Sequence, residues 1–205
     1  MPKSVVVIGV DQSYQRTGVS IAKDGELLYV SSINYEGLKT KSEKRDMTRI
    51  DVQKLCRYCC NEFDYAEFNL VLERTRQFSD GFISIPYIKA MGALNASVID
   101  VAKNYGFECW SIDTRAWKSG VVGSSKPLDN PYGVNPKKWR TILWFINEHS
   151  NMKKQIMVPA SKRVKKGVLT TKSGKRFLVN DDACDSAGIA LSWFKCSADK
   201  FMGEE

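Results

Sequence analysis

The sequence predicts an α/β fold in which one mixed sheet carries helices on its faces. Three observations point to this class: strand-like runs open the chain, helical and strand-like segments then alternate, and no internal repeat is present. The chain has 205 residues, of which 43% are hydrophobic and 26% charged, as in ordinary globular proteins. Because this length can bury one substantial core, we expect a single domain over residues 1–205.

The opening of the chain contains three strand-like segments. Apolar and β-branched runs predict strands over residues 5–11, 17–22 and 26–33. Asp24 and Gly25 separate the second and third runs, and this dipeptide is typical of a tight hairpin turn. We therefore expect the second and third strands to be joined by this turn.

Helical and strand-like segments alternate after residue 40. Short apolar runs predict strands over residues 69–73 and 107–112. A stretch rich in Gly, Ser, Pro and Asn predicts a loop that extends to Pro136. Pro86 is expected in the first turn of a helix or before it, because proline lacks a backbone N–H. Apolar residues at helical spacing predict helices over residues 41–63, 83–103, 137–147 and 181–194.

The cysteines and the apolar runs argue against secretion and membrane insertion. The six cysteines lack the spacing of a disulfide framework and are expected to be reduced thiols. Cys56 and Cys59 form a Cys-x-x-Cys pair, but no second pair completes a zinc site, so helix packing is the preferred interpretation. No run approaches the roughly 18 apolar residues of a membrane helix, and residues 5–10 are too few for a signal-peptide core. We expect a cytoplasmic protein with no membrane partner.

Positive charge is concentrated in one segment of the chain. The formal net charge is +8, and residues 151–180 contain nine Lys or Arg residues and no acidic residue. Such a segment is typical of an element that contacts phosphates, and a solvated surface loop is the alternative. Within it, β-branched residues on both sides of residues 172–174 predict a hairpin. We therefore expect a basic hairpin insertion before the last helix.

Four carboxylates lie at the ends of predicted elements. Asp11 and Glu73 end strands, whereas Asp182 and Asp185 lie three residues apart near the start of the last helix and share a face. Asp181 is expected to point elsewhere. Taken singly, each acid also fits a surface or helix-terminal role, but clustered carboxylates repel one another unless a cation neutralises them. Two Mg²⁺ or Mn²⁺ ions about 3.5–4 Å apart would suit such a cluster and can promote phosphodiester hydrolysis.

Three segments of the sequence resemble the RuvC-type Holliday-junction resolvases. Residues 7–22, VIGVDQSYQRTGVSIA, resemble the opening hairpin that carries the first metal ligand of that family. Residues 70–73, LVLE, resemble the strand of the second ligand, and residues 182–190, DACDSAGIA, resemble the last-helix motif. The small residues of this motif set its register and select Asp182 rather than Asp181. The resemblance spans most of the chain and implies a ribonuclease H-like fold with metal ligands Asp11, Glu73, Asp182 and Asp185.

The same resemblance implies residues that contact DNA. The segment WKSGVVG at residues 117–123 resembles a family loop in which Lys118 is an active-site or phosphate-contacting lysine. A later basic position of the family falls on Lys137 or Lys138. Phe78 is the nearest candidate for the aromatic residue that contacts unstacked bases, with a core position as the alternative. We assign further candidate DNA contacts to Arg76, Lys126, Lys165, Lys166, Lys175 and Arg176.

The chain departs from the family pattern in two places. The family usually has Pro-Gly after the first aspartate, whereas this chain has Gln12 and Ser13, which changes the turn and keeps the ligand. The basic stretch over residues 151–180 is expected to be an insertion before the last helix. Such divergence suits a phage or viral member, which would act in the host cell cytoplasm.

The resemblance implies a homodimer that resolves four-way DNA junctions by paired symmetrical nicks. We expect two Mg²⁺ ions per site, for which Mn²⁺ can substitute, and products with 5′-phosphate and 3′-hydroxyl ends. Asp11 would bridge the two ions, and Lys118 would offset charge that develops on the phosphate.

Three alternatives stay open at this point. One is another ribonuclease H-like nuclease that acts on flaps, other branched DNA or RNA–DNA hybrids. A second is a non-catalytic DNA-binding protein of the same fold, against which the retention of all four acids argues. The third is an actin-like ATPase or sugar kinase, because residues 11–18 also resemble a phosphate-binding hairpin. That class needs two such domains and usually a longer chain.

Overall fold

The fold consists of two sheets and the helices that connect and cover their strands. The computed structural model describes residues 3–74, 85–130, 134–160, 168–170 and 175–204. In chain order, the strands are β1 (Val5–Asp11), β2 (Thr17–Lys23), β3 (Glu26–Ile33), β4 (Glu67–Glu73), β5 (Glu108–Ile112), β6 (Met157–Pro159), β7 (Val168–Thr170), β8 (Arg176–Val179) and β9 (Phe201–Gly203). The helices are α1 (Lys41–Glu62), α2 (Ile85–Asn104), α3 (Thr114–Trp117), α4 (Pro136–Glu148), α5 (Lys153–Ile156) and α6 (Asp181–Lys195).

The larger sheet is mixed and has six strands in the order β3-β2-β1-β4-β5-β9. β1 runs parallel to β4, and β4 runs parallel to β5. The pairs β1–β2, β2–β3 and β5–β9 are antiparallel. Asp24 and Gly25 form the expected turn between β2 and β3, with φ values of 50° and 87°. The mixed sheet with flanking helices confirms the predicted fold class.

Hydrophobic residues form a core on each face of this sheet, because successive side chains of a strand point to opposite faces. On β1, the fully buried Val6, Ile8 and Val10 lie in one core with side chains of α1 and α2. Val7 lies in the other core, which contains side chains of α4 and α6. Helices α1 and α2 therefore cover one face and α4 and α6 the other, and the carboxyl ends of β1 and β4 lie between these two layers.

Capping residues determine where two of the long helices begin. The Thr40 side chain accepts a hydrogen bond from the backbone N–H of Glu43, whose carboxylate accepts one from Thr40, and this reciprocal pair begins α1. The side chain of Asn180 accepts a hydrogen bond from the N–H of Ala183 and begins α6.

Within the described ranges, none of the helices has both the length and the apolar composition that a membrane span needs.

The structure contains several short elements that the sequence pattern does not predict. A π-helical turn (Lys118–Val122) follows α3, in a region where the composition favours a loop. Strand β9 extends the larger sheet beyond α6. The expected basic hairpin is present as the antiparallel pair β7–β8, but β6 adds a third strand and gives a small sheet in the order β6-β8-β7. Elements this short are missed because they span too few residues to show a hydrophobic period.

The cysteine pair of α1 belongs to the core, as the helix-packing interpretation predicts. Cys56 and Cys59 are fully buried between α1 and the sheet. Burial raises the pKa of the Cys59 thiol to about 12 and raises the pKa of Cys56 above its ordinary range as well. Both side chains therefore pack as small hydrophobic groups.

Two glycines allow α6 to lie directly against β1 and β2. A Cβ atom at Gly9 would collide with the backbone of α6 at Ser186, and one at Gly18 would collide with the carbonyl group of Asp182. The Ser20 hydroxyl, on the same strand as Gly18, donates a hydrogen bond of 2.8 Å to the carbonyl oxygen of Ser186. The first turns of α6 are thus held at the closest distance that two backbones allow.

We predict that Gly18→Ala destabilises the protein by about 1–3 kcal/mol, because the added methyl group does not fit unless α6 moves. Urea unfolding followed by circular dichroism measures the change. Gly92→Ala on α2 is the matched control, since nothing lies within 4 Å of its added Cβ and alanine favours a helix over glycine by about 1 kcal/mol. Equal stability of the two variants would contradict the close packing of α6.

Candidate active site

Four carboxylates converge where β1 and β4 end. Val10 and Leu72 are paired in the parallel register of β1 and β4, so Asp11 and Glu73 both follow at the same end of the sheet. The packing of α6 on β1 and β2 brings Asp182 and Asp185 to this end. The order of elements therefore assembles the predicted set from three separate parts of the chain.

The pKa of Asp11 reflects its burial and its carboxylate neighbours. Its pKa is raised well above the ordinary value, and burial is the largest cause. The negative charges of Asp185, Glu73 and Asp182 raise the pKa further, in that order. The positive charge of Lys138 lowers it to a smaller extent. Asp11 thus lies within electrostatic range of the other three carboxylates.

Asp185 is buried, with 8% of its surface exposed, and faces Lys118. Burial raises the pKa of Asp185, while the charge of Lys118 lowers it. The Lys118 Nζ atom lies 3.6 Å from Asp185 Oδ1, and it also lies 4.9 Å from the centroid of the Trp117 ring. Asp185 Oδ1 is buried without a hydrogen-bond partner among the described residues. An oxygen in this condition is suited to a cation.

Glu73 is held by three residues that the sequence did not indicate. The Thr114 hydroxyl donates a hydrogen bond of 2.7 Å to Glu73 Oε1, and the indole N–H of Trp117 donates one of 2.9 Å to Glu73 Oε2. The side-chain amide of Gln12 donates to the backbone carbonyl of Glu73, while its own Oε1 is buried without a partner in the described part of the chain. Trp117 belongs to a motif that is visible in the sequence, but the direction of its N–H depends on tertiary packing.

Lys138, rather than Lys137, faces the carboxylates. Its ammonium donates a hydrogen bond to Asp181 and lies 3.6 Å from Asp182 Oδ1. Burial alone would lower the pKa of Lys138, but this hydrogen bond and the charges of the neighbouring aspartates raise it above the ordinary value. Lys137 is exposed, and its backbone N–H donates to the Asn135 side chain. The structure thus separates two positions that the sequence left open.

Asp181 lies at the start of α6, one residue before Asp182. It shares Lys138 with Asp182, whose pKa is raised first by burial and then by the charge of Asp181. The charges of Lys138 and Arg16 lower the same pKa. Lys138 therefore reaches both side chains at the start of α6, and the orientation of Asp181 away from the metal ligands stays a prediction.

The chemistry of these donors fits hard divalent cations. Carboxylate oxygens are the ligands that Mg²⁺ and Mn²⁺ prefer. Burial is the largest cause of the raised pKa values of Asp11 and Asp185, and repulsion from neighbouring carboxylates adds to it. Among the residues that the structure describes, however, no group of three or more His, Cys, Asp or Glu side chains is arranged to hold a metal ion. Instead, Asp185 faces Lys118, Asp182 faces Lys138, and Glu73 accepts hydrogen bonds from its donors.

The other candidate DNA contacts are spread over the surface or fall outside the described ranges. Lys126 is exposed, and its backbone carbonyl accepts a hydrogen bond of 2.9 Å from Arg140. Lys175 is exposed beside the small sheet, and Arg176 is partly buried in β8. Four candidates lie outside the described residues: Arg76, Phe78, Lys165 and Lys166. Their roles remain predictions.

The sequence matches no protein-family model and no curated protein. Among solved structures, RuvC from Thermus thermophilus is similar with a TM-score of 0.56 at 12% identity, covering 98% of this chain and 100% of that one. The same protein in complex with a Holliday junction substrate gives 0.54 at 11% identity, covering 92% and 91%. The yeast mitochondrial Holliday junction resolvase Ydc2 gives 0.48 at 15% identity, covering 91% and 76%. The two RuvC comparisons show that this chain has the ribonuclease H-like fold of RuvC.

We predict that Asp11→Asn stabilises the protein in EDTA at neutral pH. Because the pKa of Asp11 is raised in the folded state, wild-type stability falls as the pH rises from about 4 through that raised pKa. The amide carries no charge, so the advantage of the variant should be small at about pH 4 and should grow as the pH rises through the raised pKa of Asp11. Thermal melts measure it, and a gain of 1 kcal/mol corresponds to roughly 2–4 °C.

Asp24→Asn is the control, because the opposite change in stability is expected for it. Hydrogen bonds from the Ser4 hydroxyl and the Val5 N–H lower the pKa of Asp24, so its carboxylate stabilises the fold above that pKa. The Asn variant at this position should therefore melt below wild type at neutral pH. An Asp11→Asn variant that also melts below wild type would contradict the excess of negative charge at the site.

Proposed function

We propose that the protein is a metal-dependent endodeoxyribonuclease that resolves four-way DNA junctions by paired symmetrical nicks, leaving 5′-phosphate and 3′-hydroxyl ends. The observation that carries this proposal is the convergence of four carboxylates and two lysines at one end of the sheet. The comparison supports it as well, because the fold is shared with RuvC, which has been solved in complex with a Holliday junction substrate.

The carboxylates divide into two groups around Asp11. Glu73 lies on the neighbouring strand, and Asp182 and Asp185 lie on α6, so these three residues together with Asp11 would hold the ions. Two Mg²⁺ ions, or Mn²⁺ in their place, would activate water and stabilise the leaving oxygen of the phosphodiester. Each Glu73 oxygen accepts one hydrogen bond, from Thr114 or Trp117, and keeps a lone pair with which it would ligate an ion, so these donors would orient Glu73.

The two lysines have separate roles in this proposal. Lys118 lies 3.6 Å from Asp185 Oδ1 on a π-helical turn that fixes its position. The ammonium of Lys118 would offset the charge that develops on the scissile phosphate. Lys138 holds the first turn of α6 through Asp181 and Asp182. It therefore positions Asp182, one of the proposed metal ligands, and adds positive charge where the DNA backbone would enter.

Paired nicks require two copies of the site. The described part of the chain contains one cluster of this kind, so each chain can cut one strand. A homodimer with two-fold symmetry matches the two-fold symmetry of a four-way junction and allows cuts in two opposed strands. Recognition would then depend on junction shape and phosphate positions more than on extended sequence.

We predict that Asp11→Asn and Asp185→Asn each reduce cleavage of a synthetic four-way junction with Mg²⁺ by at least about 100-fold. Asp100→Asn is the control, because Asp100 is exposed on α2, across the sheet from α6, and should leave cleavage unchanged. Calorimetric titration with Mg²⁺ should show weaker binding by both site variants and normal binding by the control. Normal cleavage by either site variant would contradict the assignment.

The same assay separates junction cleavage from other nuclease activities. Flaps, linear duplexes and RNA–DNA hybrids compete with the labelled junction at equal concentration. We expect the junction to be cut fastest, with paired nicks at symmetrical positions. Preferential cleavage of a flap or a hybrid would assign the site to another nuclease of the same fold.

We also predict that the basic insertion binds DNA phosphates. Replacing Lys165, Lys166, Lys175 and Arg176 by glutamine should weaken junction binding and flatten its salt dependence, by about 0.9 in the logarithmic slope for each phosphate that is no longer neutralised. Binding is measured by fluorescence anisotropy over a series of salt concentrations. An unaltered slope would mean that the insertion does not bind DNA.

A further inference from the structure

A second group of basic residues surrounds the loop between β1 and β2. The Lys44 Nζ atom donates a hydrogen bond of 3.0 Å to the carbonyl oxygen of Tyr14, and Lys41 Nζ lies 5.7 Å from the Tyr14 ring centroid. Arg45 is close enough for its charge to act on the Tyr14 phenol. Arg16 lies two residues further along the loop and is exposed. These four basic residues form what we call the loop–helix surface.

The positive charge of this surface is largely uncompensated. In the part of the chain that the structure describes, no carboxylate forms an ion pair with Arg16, Lys41 or Lys44. The carboxylate of Glu43, in the first turn of α1, accepts hydrogen bonds from Thr40 in the capping box and from the N–H of Lys39. Among the described residues, Arg45 lies 3.8 Å from Asp46, and the charge of Arg16 acts on Asp182 without forming an ion pair with it.

The position of these cations on α1 opposes the helix dipole. The first turns of a helix carry partial positive charge, which favours anions there and disfavours lysine and arginine. The sequence nevertheless places Lys41, Lys44 and Arg45 in the first two turns of α1. This arrangement lowers stability unless an external anion lies close to it, so the surface is suited to a polyanionic partner.

The location of the surface relates it to the candidate active site. Helix α1 lies on the face of the sheet opposite α4 and α6, and the loop that it holds begins directly after Asp11. Gly18, two residues after Arg16, packs against the backbone carbonyl of Asp182, so the loop ends at the first turn of α6. Lys138 therefore lies beside the carboxylates on the side of α4, and the loop–helix surface surrounds the loop that follows Asp11 on the side of α1.

We propose that the loop–helix surface, formed by Arg16, Lys41, Lys44 and Arg45, binds the phosphate backbone of the DNA that enters the active site. This inference rests on the proposed function. The Tyr14 hydroxyl donates a hydrogen bond of 2.8 Å to the carbonyl of Ala90, so the loop is fixed to both α1 and α2. Backbone contacts here orient the duplex across the end of the sheet and carry no sequence preference.

The test measures binding of a labelled four-way junction to the full chain in EDTA, where cleavage is absent, over a series of salt concentrations. The double variant Arg16→Gln and Lys41→Gln removes two exposed charges and spares Lys44, whose ammonium anchors the loop. We expect its logarithmic salt slope to fall by about 2 and its affinity to fall roughly 10-fold or more.

Two variants serve as controls. Lys54→Gln removes a charge from the same helix, but Lys54 is 70% exposed and pairs with Asp51, so the slope should not change. The charge-retaining Lys41→Arg should bind like wild type. A salt slope of the double variant equal to that of wild type, with equal melting temperatures, would overturn the proposal.

The outcomes also separate this proposal from the proposed function. A reduced slope in the double variant, in a wild-type protein that binds the junction but cuts no DNA with Mg²⁺, supports the surface and refutes the nuclease. An unchanged slope in a protein that does cut the junction refutes the surface and leaves the nuclease intact.

Discussion

The close contact of α6 with β1 and β2 is the constraint on which the candidate site depends. Gly9 and Gly18 have no side chain at the points where the backbone of α6 passes, and any larger residue would push the helix away. Only at this distance do Asp182 and Asp185 reach the carboxylate that ends β1. The geometry of the site is therefore determined by two residues that take no part in its chemistry.

The same helix also positions the carboxylate of β4. A Cβ atom at Gly188 of α6 would collide with the ring of Trp117, which is fully buried. The Trp117 indole N–H donates to Glu73, so the packing of α6 determines where Glu73 points. A shift of α6 would thus disturb all four carboxylates together, which links the stability of this contact to function.

The electrostatics of the site oppose the stability of the fold. Burial and mutual repulsion raise the pKa values of Asp11, Asp182 and Asp185, and each raised value means that the ionised group destabilises the folded state. Lys118 and Lys138 offset part of this repulsion. Cations bind where negative charge is in local excess. Complete neutralisation of the carboxylates by lysines would remove the electrostatic attraction for a cation.

The sequence by itself determined the opening strands, the long helices and the identity of the four carboxylates, because each is marked by a hydrophobic period or a local motif. It could not choose between Lys137 and Lys138, nor reveal that Gln12, Thr114 and Trp117 hold Glu73. Strands β6 and β9 were likewise hidden by their length. Only the tertiary structure decided these points, since hydrogen-bond direction and the partner of a short strand depend on residues far away in the chain.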